Sequence, residues 1–418
     1  MTPLKVPFAA LLIVFLIFNT ADAAYENYHN VLVGSKGVGF GGAQAAVIGD
    51  PSSSSFYNPA TLSRIRGTSL STSVSLYNKY DTGYGSANLE QAPLKVNQGF
   101  FRSLPSTGTL MNFGNYAFGL SVVIPDYDNF SGEIESSVTS SSSTTTLLNL
   151  ADESLWVGGS FAMNFSENSS WGVTAYYTAR NFQRTLVDQT VSTTSQIYSE
   201  EKSFTNNSVV YQLGFYSKLS DRWGVGASYR LPSIEVSGRG YYYRSYLDTS
   251  SSTTPTVVRQ QDVGSEGRIP SRIVLGVNYK VEELLSIAFD VHRYLPEDFA
   301  DMESAAGQYR VRHVEVTSFH FGTEYSFASW IKGRLGLFTN PSSTPLIGST
   351  NEKMGDHIDM WGWSAQVELL TSEKTSVGFG GYYTGGTGEA VEQINQVLTK
   401  KTKSKQVFSM MITTEFFL

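Results

Sequence analysis

The 418-residue sequence contains no cysteine. An exported chain without disulfides must take its stability from a large hydrogen-bonded framework or from a membrane, so the small cross-linked extracellular modules are excluded. Charge is also scarce, at 16% of residues, against about 25% in a typical soluble domain. The apolar run near the start, Phe8 to Phe18, is far shorter than the roughly 20 residues that a membrane-crossing helix needs, and no other run reaches that length. The net charge is −7 and no basic stripe is available to neutralise phosphates, which argues against nucleic acid as a partner. The one basic cluster, Lys400, Lys401, Lys403 and Lys405, reads as a solvated loop, with a clamp for lipopolysaccharide phosphates as the alternative. The five histidines are His29, His292, His313, His320 and His357, and no two have metal-ligand spacing with carboxylates. His313 and His320 lie an odd number apart, on opposite faces of one expected strand. No metal and no cofactor are expected.

What is present points to an exported β protein. Lys5, the apolar run Phe8 to Phe18 and the Ala21-Asp22-Ala23 site make residues 1–23 a signal peptide cleaved after Ala23. From about residue 67 to 418 the chain alternates apolar and polar residues with period two. Trp223, Val225, Ala227 and Tyr229 alternate with Gly224, Gly226, Ser228 and Arg230. Trp361, Trp363, Ala365, Val367 and Leu369 alternate with Gly362, Ser364, Gln366 and Glu368. About fourteen such segments occur, each close to the roughly nine to eleven residues of a tilted spanning strand. Their connections alternate. Those at 166–170, 220–221, 281–283, 328–329 and 370–373 are tight, whereas 126–149, 188–203, 239–267, 295–312, 341–356 and 386–405 read as long polar loops. Short periplasmic turns and long outer loops are the pattern of a transmembrane antiparallel β-barrel, and an even strand number puts both termini in the periplasm. A soluble sandwich would rarely show that regularity.

Ahead of the strands, residues 24–66 are rich in glycine and irregular, as befits a compact plug, or hatch, inside the barrel. Ala43 to Ile48 reads as one short apolar helix, and Asn58-Pro59 as a turn. Gly37, Gly39 and Gly42 satisfy Gly-x-Gly-x-x-Gly, but no buried strand precedes them and no βαβ unit follows, so a dinucleotide site is set aside. The Asp290–His292 pair would share the luminal face; it has no Gly-x-Ser-x-Gly elbow for company and reads as a polar pair in a polar lumen, so no catalytic residue and no enzyme is expected. Phe101, Val123, Trp156, Tyr176, Tyr216 and Phe338 also fall on luminal positions. Large apolar side chains there suggest a pocket for an apolar ligand between wall and plug, or simple packing against the plug. Gly114, Gly119 and Pro125 mark the third strand as a place where the ladder is weakened.

The stretch Gly37-Val38-Gly39-Phe40-Gly41-Gly42-Ala43, with Asp50 and Phe56-Tyr57-Asn58-Pro59-Ala60 after it, resembles the N-terminal hatch of the FadL/TodX family of outer-membrane channels for long-chain fatty acids and aromatic hydrocarbons. The resemblance implies a hatch-gated passive channel for a hydrophobic small molecule in the bacterial outer membrane. Asn58, Pro59 and Ala60 would lie beside a lateral gap opened by a kink in the third strand, near Gly119 and Pro125. The final strand, with Phe408, Met410, Ile412, Thr414, Phe416 and Leu418 on one face, looks like the signature read by the barrel-assembly machinery, although it ends in Leu where Phe is usual. Arg180, Arg230, Arg272 and Arg334 are all candidate carboxylate clamps. The alternative function is an adhesin or structural surface protein working through its long loops.

Overall fold

The computed structural model describes residues 27–84, 94–100, 104–139, 142–250, 254–303, 310–347, 355–394 and 397–418. The expected signal peptide and Phe101 lie outside them. Fourteen strands form one closed antiparallel barrel. In chain order they are β1 (Ser69–Tyr84), β2 (Leu94–Phe100 and Leu104–Asn112), β3 (Tyr116–Thr139), β4 (Ser142–Asn164) and β5 (Ser169–Val191). Then follow β6 (Ser195–Lys218), β7 (Trp223–Arg230 and Ile234–Asp248), β8 (Thr256–Gly264 and Arg272–Glu282), β9 (Leu285–Tyr294) and β10 (Val316–Ala328). The last four are β11 (Ile331–Asn340), β12 (Gly355–His357 and Met360–Ser372), β13 (Thr375–Ile394) and β14 (Val397–Phe417). Each strand pairs with the next, and β14 closes on β1 with Ser69 opposite Phe417. Closure satisfies the edges of the sheet, as lipid requires, except where β3 beyond Val123 has no β2 partner among the described residues.

The period-two pattern becomes two faces. Leu120, Val157, Leu213, Leu335, Trp361, Val367 and Phe379 point outward and are exposed, whereas Gln212, Arg272, Asp290, His320, Arg334 and Gln366 point inward and are buried. An apolar exterior is favoured only against lipid tails. Aromatic contacts collect at the short-turn rim: Phe113 on Phe118, Phe118 on Phe161, Phe161 on Trp171, and Trp223 on Tyr279 at 4.4 Å.

Several runs expected to be loops are strand. The 126–149 and 188–203 stretches are the outer arms of the β3–β4 and β5–β6 hairpins, paired through Thr139↔Ser142 and Val191↔Ser195. Threonine, valine and isoleucine within these Ser/Thr-rich runs favour the extended chain, and each arm finds a partner ladder. The arms of β7, β8, β13 and β14 likewise run into the expected 239–267 and 386–405 loops. His313 belongs to a separate small hairpin, Glu297–Ala300 with Arg310–His313, so it does not share a strand with His320. The basic cluster also lies in β14: Lys400 pairs with Glu389, Lys403 with Asp356 and Lys405 with Asp128, which corrects its reading as a solvated loop.

The N-terminal segment packs inside this wall. The helix expected at Ala43–Ile48 does not form; α1 is Ser35–Gly39, α2 is Pro51–Tyr57, and a 3-10 turn covers Pro59–Arg64. The reason is local. Asp50 caps α2 through Ser53 N and Pro51 opens it, while Gly41 (φ 59) and Gly42 (φ 87) turn the chain away from a helical path just before Ala43. Wall glycines admit this irregular backbone. A Cβ on Gly226 would stand 1.7 Å from the Ala45 carbonyl oxygen, one on Gly214 2.1 Å from Asn58 Oδ1, and one on Gly336 2.3 Å from Gly41 N. Gly226→Val is therefore expected to displace the N-terminal segment while leaving the barrel assembled. Single-channel conductance in planar bilayers should rise and the segment should become sensitive to protease. Gly159→Val, on the outer face, should change neither; equal behaviour of the two variants would contradict the contact.

Candidate functional site

The site is built where the N-terminal segment meets the wall. Asp50, fully buried, gathers the segment: its carboxylate accepts from Lys36 N (3.0 Å), Ser52 Oγ (2.6 Å), Ser53 N (3.1 Å) and Ser71 Oγ of β1 (3.3 Å). Asp290 of β9 does the same from the wall, its Oδ2 accepting from Gln44 N and Ala45 N, both at 2.7 Å. Asn58 Nδ2 donates to Ala45 O (2.6 Å) and to Phe215 O of β6 (2.9 Å), and Asn58 Oδ1 accepts from Ala60 N. An irregular buried backbone must have its polar groups satisfied, and these three side chains do that. Gly37 and Gly39 make room for Tyr57 and for Arg334 with Gln366, respectively. Asn58 and Pro59 lie against Gly214 and Gly172 of β6 and β5. Gly119 is near Leu62, and Pro125 lines a cavity on the side of the long hairpins.

That cavity measures about 130 Å³ and lies between Phe56, Tyr28 and Asn30 of the N-terminal segment and a wall that includes Pro125, Leu150, Ile269 and Tyr294. Its size is close to the ~150 Å³ of a cavity that holds benzene, so it can seat a headgroup or a ring and not a whole acyl chain. The expected pocket residues are placed differently. Val123, Trp156 and Tyr176 pack with Val33, Phe56, Tyr57 and Val210. Phe338 joins Val31, Leu32 and Val38, and Tyr216 carries the Arg64 guanidinium over its ring at 5.9 Å. All five point inward as expected, but they pack beneath or beside the segment, and none lines the cavity.

The arginines, which the sequence left equivalent, separate clearly. Arg180 is held by Asp152 through Nε (2.8 Å) and Nη2 (2.5 Å). Arg334 is buried between Glu324, Glu368 and Gln366. Arg230 and Arg272 are buried and line the cavity, yet neither has a carboxylate within ion-pair distance among the described residues. Arg230 donates Nε and Nη2 to the Pro270 carbonyl (3.1 and 3.0 Å) and stacks at 5.6 Å on Trp156 and on Tyr294. Arg272 donates to Phe56 O (3.0 Å) and Gln212 Oε1 (3.3 Å), lies over Phe56 at 5.2 Å, and keeps its Nε–H without an acceptor. Aromatic faces and carbonyl dipoles hold these cations, and the carboxylates that act on them, Asp126 on Arg230 and Asp290 on Arg272, do so from beyond ion-pair distance.

Sequence spacing also missed a histidine cluster. His29, His292 and His320 come together behind the cavity floor, all buried. His292 Nε2 stands 3.6 Å from Asp290 Oδ2, too far for a hydrogen bond, because Asp290 is engaged by the Gln44 and Ala45 amides. Burial and the neighbouring His320 imidazole hold His29 well below the usual histidine range, so it is neutral at physiological pH. No spacing rule could have found a cluster whose members come from three separate elements.

No family model matches the sequence, and no curated protein matches it. The fold is shared with solved outer-membrane channels. The chain is similar to a Pseudomonas aeruginosa FadL homologue at 13% identity, covering 95% of this chain and 99% of that one, with a TM-score of 0.65. It is similar to the P. putida toluene transporter TodX at 13% identity, covering 93% and 99%, with a TM-score of 0.63. It is also similar to the monoaromatic hydrocarbon channel CymD at 15% identity, covering 94% and 99%, with a TM-score of 0.62.

The two kinds of arginine differ in what their removal leaves behind. Arg334→Met strands the buried Glu368 carboxylate and is expected to cost about 3–5 kcal/mol, seen as a fall in the Tm of the detergent-solubilised protein. Arg272→Met strands no carboxylate and should lower the Tm far less. Equal losses would contradict the assignment of Arg272 as lacking a direct ion pair.

Proposed function

We propose that this chain is an outer-membrane channel of the FadL/TodX type, and that its ligand is a hydrophobic molecule with an acidic headgroup, of the long-chain fatty acid class. The observation that carries the reading is the pair of buried guanidiniums, Arg230 and Arg272, which face a cavity of mixed polar and apolar lining and have no ion-paired carboxylate among the described residues, although Asp126, Asp128, Asp152 and Asp356 also line it. A carboxylate there would supply the direct ion pair that neither guanidinium has among the described residues, and charge-assisted hydrogen bonds are the strong ones. A pure hydrocarbon would gain only the apolar walls.

In this reading residues 1–23 export the chain, residues 24–66 form the hatch and residues 67–418 form the transmembrane wall. Ligand enters from the long hairpins, its headgroup is caught in the cavity, and movement of the hatch around Gly37, Gly39, Gly42 and Asn58-Pro59-Ala60 lets it pass. A lateral exit is supported by the β2–β3 ladder. Among the described residues it runs from Asn112↔Ala117 to Ser106↔Val123 and goes no further, although β3 continues to Thr139. Pro125, which cannot donate to a ladder, stands just past the break, where the β3–β4 register also slips. An oily chain leaving there passes into lipid without crossing water.

Titrating the purified protein with oleate and with oleyl alcohol separates the headgroup term. Arg230→Met and Arg272→Met are each expected to weaken oleate binding about tenfold or more, the equivalent of ~1.5–3 kcal/mol for a charged hydrogen bond, and to leave the alcohol unchanged. Parallel losses for both ligands, or none for either, would contradict an acidic headgroup.

A further inference from the structure

His29 stands on the N-terminal segment, His292 on β9 and His320 on β10. One nitrogen from each falls within 4.8 Å of the others. The Nε2 atoms of His29 and His320 are 3.2 Å apart, close to the roughly 3.3 Å edge of a tetrahedron with zinc–nitrogen bonds of ~2.05 Å. His320 Nδ1 lies 2.7 Å from the Gly41 carbonyl oxygen. A carbonyl only accepts, so Nδ1 carries the proton and Nε2 turns its lone pair into the cluster. Metal-ligating histidines are oriented by just such a bond from the other ring nitrogen. The Ser318 hydroxyl, 2.9 Å from His29 Nε2 and 3.1 Å from His320 Nε2, can donate to either, so His29 Nε2 need not hold a proton.

His292 is the member without another explanation. Its ring is fully buried, and among the described residues neither ring nitrogen has a hydrogen-bond partner. It stacks on His320 with centroids 4.0 Å apart. Tilting it toward the other two rings breaks no hydrogen bond. A buried polar group left unsatisfied is costly and calls for a missing partner.

We propose that His29, His292 and His320 bind a divalent first-row transition-metal ion, zinc being the simplest case. Three imidazoles suit zinc, copper or nickel and are poor donors for magnesium or calcium. The fourth position falls to water or to the Ser318 hydroxyl. The Asp290 carboxylate, 3.6 Å from His292 Nε2, supplies countercharge beside the site. One ligand comes from the N-terminal segment and two from the wall, so the ion cross-links them. If the segment is the gate, as proposed above, the bound ion holds it shut; the binding itself does not depend on that reading.

The test uses the full-length, untagged protein in detergent, stripped with chelator and dialysed against zinc or, in parallel, magnesium. The wild type should retain an equivalent of zinc per chain and no magnesium, and zinc should raise its Tm. His292→Ala, and separately His320→Gln, which keeps a donor for Gly41, should lose both effects while the barrel still shows heat-modifiable gel mobility. A wild type that retains no zinc, or variants that retain as much, would overturn the site. Fatty-acid uptake into proteoliposomes, with and without zinc, then reads the consequence separately. Inhibition confined to the wild type supports the lock. Stoichiometric binding with unchanged uptake leaves the site standing and overturns the lock.

Discussion

Closing a sheet into a barrel removes every edge, but at this strand number it also opens a lumen that wall side chains alone do not fill. That constraint shapes the rest of the molecule. The lumen is occupied by the N-terminal segment, short helices joined by irregular backbone, whose buried amides and carbonyls must find partners. The partners come from a few inward side chains, above all Asp290 on the Gln44 and Ala45 amides and Asn58 on the Ala45 and Phe215 carbonyls. The space comes from wall glycines such as Gly226 and Gly336, where any side chain would collide with the segment's backbone. Wall and N-terminal segment are one packing problem solved from both sides.

Charge inside the barrel is treated in two ways. Beneath the segment Arg334 is surrounded by Glu324, Glu368 and Gln366, a network that closes on itself. Above it Arg230 and Arg272 are held by carbonyls and ring faces, with no carboxylate within ion-pair distance among the described residues. On the proposed function, that contrast is what would favour an anion with an apolar tail in the cavity. It also explains why Val123, Trp156 and Tyr176 matter without touching the cavity: they and Phe56 form the apolar body on which the two guanidiniums rest.

Much of this was legible in the sequence, and the failures have physical causes. Strict alternation in stretches such as Trp223–Arg230 gave strand and face together, since a half-buried strand has no freedom in which residues turn inward. Short turns were clear from their lengths. The long hairpin arms were not, because Ser/Thr-rich strands outside the apolar band carry no alternation to mark them. The helix at Ala43–Ile48 was misplaced because apolar composition was read without the positive φ at Gly41 and Gly42. Inward positions such as Val123 and Phe338 were identified correctly, but whether an inward residue meets plug or cavity depends on depth along the barrel, which alternation does not encode. The separation of Arg334 from Arg272, and the meeting of His29 with His292 and His320, depend on contacts between elements far apart in the chain. Local patterns cannot reach those.

On the proposed function the barrel is closed to solutes in water and passes acidic hydrophobic molecules. The most direct test is uptake into cells with and without the protein, comparing a labelled long-chain fatty acid, a labelled aromatic hydrocarbon and a small hydrophilic sugar. The fatty acid should enter faster, the hydrocarbon should respond less and the sugar not at all. Faster sugar entry would reveal an open pore and contradict the plug, and unchanged entry of all three would contradict transport altogether.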